Sequence, residues 1–124
     1  MAVLVSPLRE GALLLEYVGI SREEELLAAY NQILIEPNLR YLLADTSEMM
    51  IVDDSVYRTA AVVAFFQTLL SRDSFQQVIL VVPERKDDMR DFSRSLYVRL
   101  GYEHKLRFVD NRQEGLALLD TLLG

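Results

Sequence analysis

The chain has no cysteine, one histidine, five glycines and three prolines in 124 residues. Each scarcity excludes something. Without cysteine there is no disulfide and no thiolate metal site. His104 is the sole imidazole, so any Ser-His-Asp system or imidazole base must use it. No Gly-x-Ser-x-Gly sequence occurs, and His104 falls between a predicted helix and a predicted edge strand, where an exposed loop histidine is expected. The glycines stand singly, so neither a P-loop nor a dinucleotide fingerprint is present. No His/Cys cluster offers a zinc or iron site. No apolar run reaches the roughly 18–20 residues needed to cross a bilayer, and Arg58 interrupts the longest candidate. The opening MAVLVSPLREG lacks a basic start and a long enough apolar stretch for a signal peptide. A cytoplasmic protein without a cofactor is expected.

What is present is ordinary for one globular domain spanning 1–124: 51% hydrophobic and 26% charged residues. The net charge of −6 is unevenly placed. Residues 1–84 carry 5 basic and 12 acidic side chains, residues 85–112 carry 8 basic and 5 acidic, and the last twelve add two acids. Nucleic-acid binding depends on neutralising phosphates, so the acidic balance argues against it. The basic stretch reads as a solvated helix of mixed charge, with an acidic partner surface as the other use.

The organising stretch is Tyr41–Leu70, YLLADTSEMMIVDDSVYRTAAVVAFFQTLL. Tyr41 to Ala44 has the length and composition of a strand buried on both faces, ended by Asp45. Asp53, Asp54 and Ser55 are residues whose side chains cap helix starts. Val56–Leu70 then holds eleven apolar residues in fifteen, predicting a largely buried helix. A strand, a polar loop and a buried helix place function at the strand's C-terminal end in an α/β sheet.

Around it, Ala2–Pro7 and Ala12–Val18 read as two strands joined through Leu8 to Gly11. Ser21 with Glu24 forms a capping box for a first helix, apolar at Leu26, Leu27, Tyr30, Ile33 and Leu34 and ended by Pro37. Gln77–Val82 is a buried strand closed by Pro83. Met89, Phe92, Leu96 and Leu100 mark a third helix, with Gly101 as its C-terminal cap, and Arg90 and Arg94 are read as surface partners of Asp87 and Asp91. Lys105–Val109 alternates as an edge strand. Asn111 and Glu114 cap a last helix, Arg112–Leu123, with Leu116, Leu119, Leu122 and Leu123 on its apolar face. The order ββαβαβαβα predicts a single mixed, mostly parallel five-stranded sheet with about four helices, on both faces.

This order resembles the STAS domain, in the divergent SpoIIAA-like form of the anti-sigma-factor antagonists. In those regulators a strand ends in an Asp-x-Ser-like turn, and a few residues on Asp-Ser-Ser-Gly opens a helix. Asp45-Thr46-Ser47 is similar to the turn, and Asp53-Asp54-Ser55-Val56 stands where Asp-Ser-Ser-Gly is expected. Phe108-Val109-Asp110 before Gly115-Leu116-Ala117-Leu118-Leu119 is similar to the last strand and helix. The resemblance implies a regulatory protein-interaction module, not an enzyme, with a protein partner. It also implies a departure. The phospho-acceptor serine is replaced by Asp54, Ser55 matches the second serine, and Val56 replaces the glycine. A carboxylate carries one fixed charge where phosphoserine carries roughly −1.5 to −2, so a kinase-driven switch is not expected.

Three uses remain open for the acidic group Asp45, Glu48, Asp53 and Asp54: helix capping, contact with a partner or ligand, and Mg²⁺ or phosphoryl chemistry. An aspartyl-phosphate enzyme also needs a positioned lysine. Lys86 and Lys105 follow later strands, so no metal or catalytic residue is assigned. Partner or ligand contact is assigned to Asp45, Ser47, Asp53, Asp54 and Ser55, on a surface formed by the Asp53–Val56 helix start with the adjoining loop Ser47–Val52. The alternative function is binding of a small apolar or lipid-like ligand by exposed apolar surface on Val56–Leu70, which would also serve homodimerisation. The exposure of Phe65 and Phe66 separates these from a buried helix.

Overall fold

The computed structural model describes residues 2–124. Strands β1 (Ala2–Arg9) and β2 (Ala12–Gly19) form a hairpin, followed by α1 (Glu23–Leu34), β3 (Tyr41–Met49), a 3-10 turn (Asp54–Tyr57) and α2 (Ala60–Leu70). β4 (Gln77–Val81), α3 (Asp87–Leu100), a second 3-10 turn (Glu103–Lys105), β5 (Leu106–Val109) and α4 (Arg112–Leu123) complete the chain. The hairpin turns at Gly11, whose φ of 84° suits a residue without Cβ.

The five strands lie in chain order, β1-β2-β3-β4-β5, with β1 antiparallel and the rest parallel. Parallel crossovers are right-handed. Because each one steps in the same direction, α1, α2 and α3 must all cross the same face. Leu15, Leu42, Ala44, Val78 and Leu80 point into that larger core. Alternate residues Ala12, Leu14, Tyr41, Leu43, Ile79 and Val81 form a second core with Leu119 of α4. Helices on both faces are therefore found, three against one.

Several boundaries correct the sequence reading. β3 does not stop at Asp45 but runs to Met49. Ser21 does not cap α1: it is buried, and Arg22 takes the N-cap position, its N–H donating to Glu25 Oε1 at 3.0 Å. The second helix does not start at Val56. Asp53 caps only the 3-10 turn, and Thr59 Oγ1 caps α2 by accepting from Val62 N–H at 3.3 Å. On α4, Leu116 is exposed, and Gly115 and Leu119 are the buried residues. Asn111 does cap α4, accepting from Glu114 N–H at 2.9 Å. Among the described residues no helix is long and apolar enough to cross a membrane.

Candidate functional site at the carboxyl end of the sheet

The parallel strands β2 to β5 point their carboxyl ends the same way, with β2 and β3 paired on to Gly19 and Met49 past the level of Asp45, Val81 and Val109 where β4 and β5 stop. The site residues predicted from sequence gather at that end in two separate groups. Side chains alternate along β3, so Asp45 faces α4 while Thr46 faces the larger core. Asp45 is buried, and its carboxylate accepts from Ser47 N–H at 2.9 Å, Ser47 Oγ at 2.5 Å and Arg112 Nε at 2.7 Å. Arg112, at the start of α4, also donates from Nη2 to Glu16 Oε2 on β2 at 2.6 Å. Burial works to raise the Asp45 pKa. The bonds from Ser47 and Arg112 outweigh it and hold the carboxyl below its ordinary value. The two carboxylates in turn raise the Arg112 pKa.

On the helix side, Lys86 reaches under the end of β3. Its Nζ donates to the carbonyls of Thr46 at 2.9 Å, Ser47 at 3.4 Å and Met49 at 2.9 Å. Burial lowers its pKa, because the ammonium gives up water for carbonyl oxygens. The sequence reading set Lys86 aside as lying beyond a later strand. The structure brings it to this end, but against backbone and not against a carboxylate. Thr46 Oγ1 donates to Val81 O at 2.6 Å, tying β3 to β4.

Asp53, Asp54 and Ser55 lie apart from Asp45, exposed on the segment leading into α2. Asp53 Oδ1 accepts from Ser55 N–H at 3.0 Å, which lowers its pKa. Asp54 pairs with Arg58 at 3.0 Å. Glu48 is exposed as well. Asp45 is therefore a clamp between sheet and α4, and the single acidic constellation expected from sequence does not assemble. Among the described residues no group of three His, Cys, Asp or Glu side chains is placed to hold a metal.

The loop Ser47–Val52, which the sequence offers as part of the contact surface, carries an apolar rim beside these acids. Met50 N–H bonds to Gly19 O at 2.9 Å, bringing the loop after β3 against the end of β2. The result leaves Ile20 40%, Met50 60%, Ile51 43% and Val52 76% exposed. Its signal was the run Met50-Ile51-Val52, apolar yet outside any predicted strand or helix. An open groove of about 510 Å³ adjoins it, bordered by Ile51, Asp54, Arg58, Arg85 and Phe92. The Arg58 guanidinium sits 4.6 Å over the Phe92 ring.

The buried side of α2 is filled with rings. Phe65 stacks on Tyr30 at 4.0 Å, and Phe66 meets Tyr30, Phe65 and Tyr97 edge-on or tilted. Both phenylalanines thus have ring neighbours in the core. The exposed face of α2 is Ala60, Ala61, Ala64, Gln67 and Thr68, small or polar residues in place of the exposed apolar patch allowed by the sequence. Nearby, the Tyr17 and Tyr30 hydroxyls meet at 2.8 Å, and burial raises both pKa values well above the ordinary one. A cavity of about 70 Å³ lies between the sheet, Phe66 and Leu96. A benzene-binding cavity measures about 150 Å³, so a lipid chain does not fit here.

The basic stretch is largely spent on internal bonds. Arg90 pairs with Asp110 at 2.6 Å, not with Asp87, and donates to Val82 O at 2.8 Å. Arg94 does meet Asp91, at 3.8 Å. Lys105 Nζ closes the end of α2 by donating to Leu70 O at 2.8 Å. His104 is exposed in the second 3-10 turn.

No family model matches the sequence, and no curated protein matches it. Solved structures do. The anti-sigma factor antagonist SpoIIAA in its unphosphorylated form aligns at a TM-score of 0.66 and 13% identity, over 99% of both chains. The Bacillus cell fate determinant SpoIIAA in its phosphorylated form aligns at 0.59 and 10% identity, over 95% of this chain and 99% of that one. The fold is that of SpoIIAA, in agreement with the resemblance drawn from the sequence.

Proposed function

We propose that this chain is a non-enzymatic, regulatory protein-interaction module that docks a protein partner at the carboxyl end of its sheet. The observation that carries this reading is the exposed rim of Ile20, Met50, Ile51 and Val52 set directly beside Asp53, Asp54 and Ser55. Apolar anchors flanked by charge are the composition of a binding hot spot and its polar rim. The neighbouring groove gives a partner's large side chain somewhere to sit. Asp45, bonded to Ser47 and to Arg112 of α4, shapes the floor of this end, with the half-buried Ser47 above it. The fold of an anti-sigma factor antagonist supports a regulatory role of this kind. Asp54 at the acceptor position supports a constitutive contact: a permanent charge needs no kinase.

The test is affinity capture from the native cell extract with the wild-type chain and with a Met50→Ser/Val52→Ser double variant of matched circular dichroism. A protein retained by the wild type and lost with the double variant is the expected result. Identical capture by both, or no capture by the folded wild type, overturns the reading. Mass spectrometry of the chain from cells is expected to find no phosphate on Ser47 or Ser55. Stoichiometric phosphate on Ser55 would instead show that the switch had moved by one residue.

A further inference from the structure

The two edges of the sheet are guarded differently. β5 has four residues, carries Arg107, and follows Lys105 directly. A short edge with cations resists pairing with another chain. β1 has eight residues and no charge from Ala2 to Leu8. Only β2 pairs with it among the described residues, so its outer side presents a row of backbone groups without strand partners.

Pro7 fixes which residues face outward. The register with β2 is unbroken from Ala2 opposite Val18 to Pro7 opposite Leu13. Proline has no N–H for the ladder and is tolerated in an edge strand with its nitrogen toward the free side. Backbone direction alternates along an antiparallel strand, so Val3 and Val5 share that outward orientation. The sequence around Leu4, Ala2-Val3-Leu4-Val5-Ser6, is close to a palindrome. An antiparallel copy centred on Leu4 sets Val3 against Val5 and Ala2 against Ser6. Val3 and Val5 then exchange both N–H···O bonds, and the twofold axis repeats the exchange. Leu4 meets Leu4 of the second copy at a non-hydrogen-bonded position, where opposed side chains stand closest. Leu4 is 48% exposed on the α4 side of the sheet, because α4 packs over β3, β4 and β5 instead. Pro7, with no donor, marks where the new ladder stops.

We propose that two copies of this chain pair through β1, antiparallel about Leu4, joining their five-stranded sheets into one. The palindrome selects a second copy over any other strand as the occupant, and no charges oppose one another across Ala2–Ser6. The contact uses the same patch on both chains, so it closes at two.

The absence of cysteine makes the register directly readable. Opposed Cα atoms at a non-hydrogen-bonded pair lie about 4.5 Å apart, within the roughly 4.4–6.8 Å that a disulfide spans. Leu4→Cys in the full chain is expected to form a covalent dimer on mild oxidation. Ser6→Cys is expected to stay monomeric on a non-reducing gel, because its counterpart lies four residues further along, about 13 Å away. In sedimentation the wild type is expected at twice the chain mass. Leu4→Lys, which opposes two like charges, is expected to weaken the dimer by roughly tenfold or more with an unchanged circular dichroism spectrum. Adding an equal amount of Leu4→Glu is expected to restore it. A wild type that sediments as a monomer up to its solubility limit, a dimer indifferent to Leu4→Lys, or equal cross-linking of Leu4→Cys and Ser6→Cys would each overturn the proposal.

Discussion

Asp45 shows how one side chain changes meaning between sequence and structure. Read locally, an aspartate after four apolar residues ends a strand. In the fold it stays inside β3 because Arg112, far along the chain, arrives with α4 and neutralises it. Nothing in the local sequence reports that partner. Arg112→Ala is expected to lower unfolding free energy by about 1–3 kcal/mol, the range for leaving a buried acceptor short of a donor. The half-open position of the guanidinium admits water and keeps the loss out of the higher range of a fully buried pair. The folded pKa of Asp45 lies below its unfolded value of about 3.9, so its stabilisation is complete above that value and disappears as pH falls through the folded pKa. Urea titrations between about pH 6 and pH 3 are expected to show a shallower acid loss in Asp45→Asn than in the wild type. Position 54 supplies a second contrast. Three capping residues in a row predicted a helix beginning there, but the actual cap is Thr59, a residue whose weaker capping preference was hidden behind them. Thr59→Ala is expected to cost about 1 kcal/mol. Asp54→Ala removes only an exposed ion pair and is expected to cost less than about 0.5 kcal/mol, as read by denaturant midpoints.

Among the elements, α4 is the one whose seat depends on a single small residue. Gly115 is buried in its first turns, and a Cβ there would lie 2.6 Å from Leu43 Cδ1. Alanine favours a helix interior by about 1 kcal/mol over glycine, while forcing a methyl into a packed core costs about 1–3 kcal/mol. Gly115→Ala is therefore expected to destabilise by up to about 2 kcal/mol, against the direction of helix propensity. Thermal unfolding followed by tyrosine absorbance checks the sign. The strands and helices themselves were legible because their apolar periodicity is strong. What the sequence did not disclose were the ends of elements. There, long cations such as Lys86, Lys105 and Arg72 satisfy carbonyls from distant parts of the chain. Likewise Leu116 shares the helical period of Leu119 but falls beyond the edge of the contact with the sheet, so periodicity alone counted it as core.

For the whole molecule, the unequal distribution of helices sets the failure mode. One face is covered by three helices and the other by α4 alone. A chain ending before Arg112 uncovers Leu43, Ile79 and Val81, which are fully buried in the intact protein. That truncated chain is expected to bind the dye ANS strongly and to lose near-ultraviolet circular dichroism, as a state without fixed packing does. A truncated chain with native spectra would show that α4 is dispensable. The agreement of strand order with chain order reaches further than the native state. Every strand docks against the one made immediately before it, so during synthesis the sheet can grow by accretion, each crossover closing a short loop. Neither a strand nor a crossover has to wait for a distant segment. The exception is α4, which follows β5: until it folds back, the apolar underside of an otherwise finished sheet stands open. The interval between completing β5 and docking α4 is thus when the nascent protein is most exposed to aggregation and to chaperones.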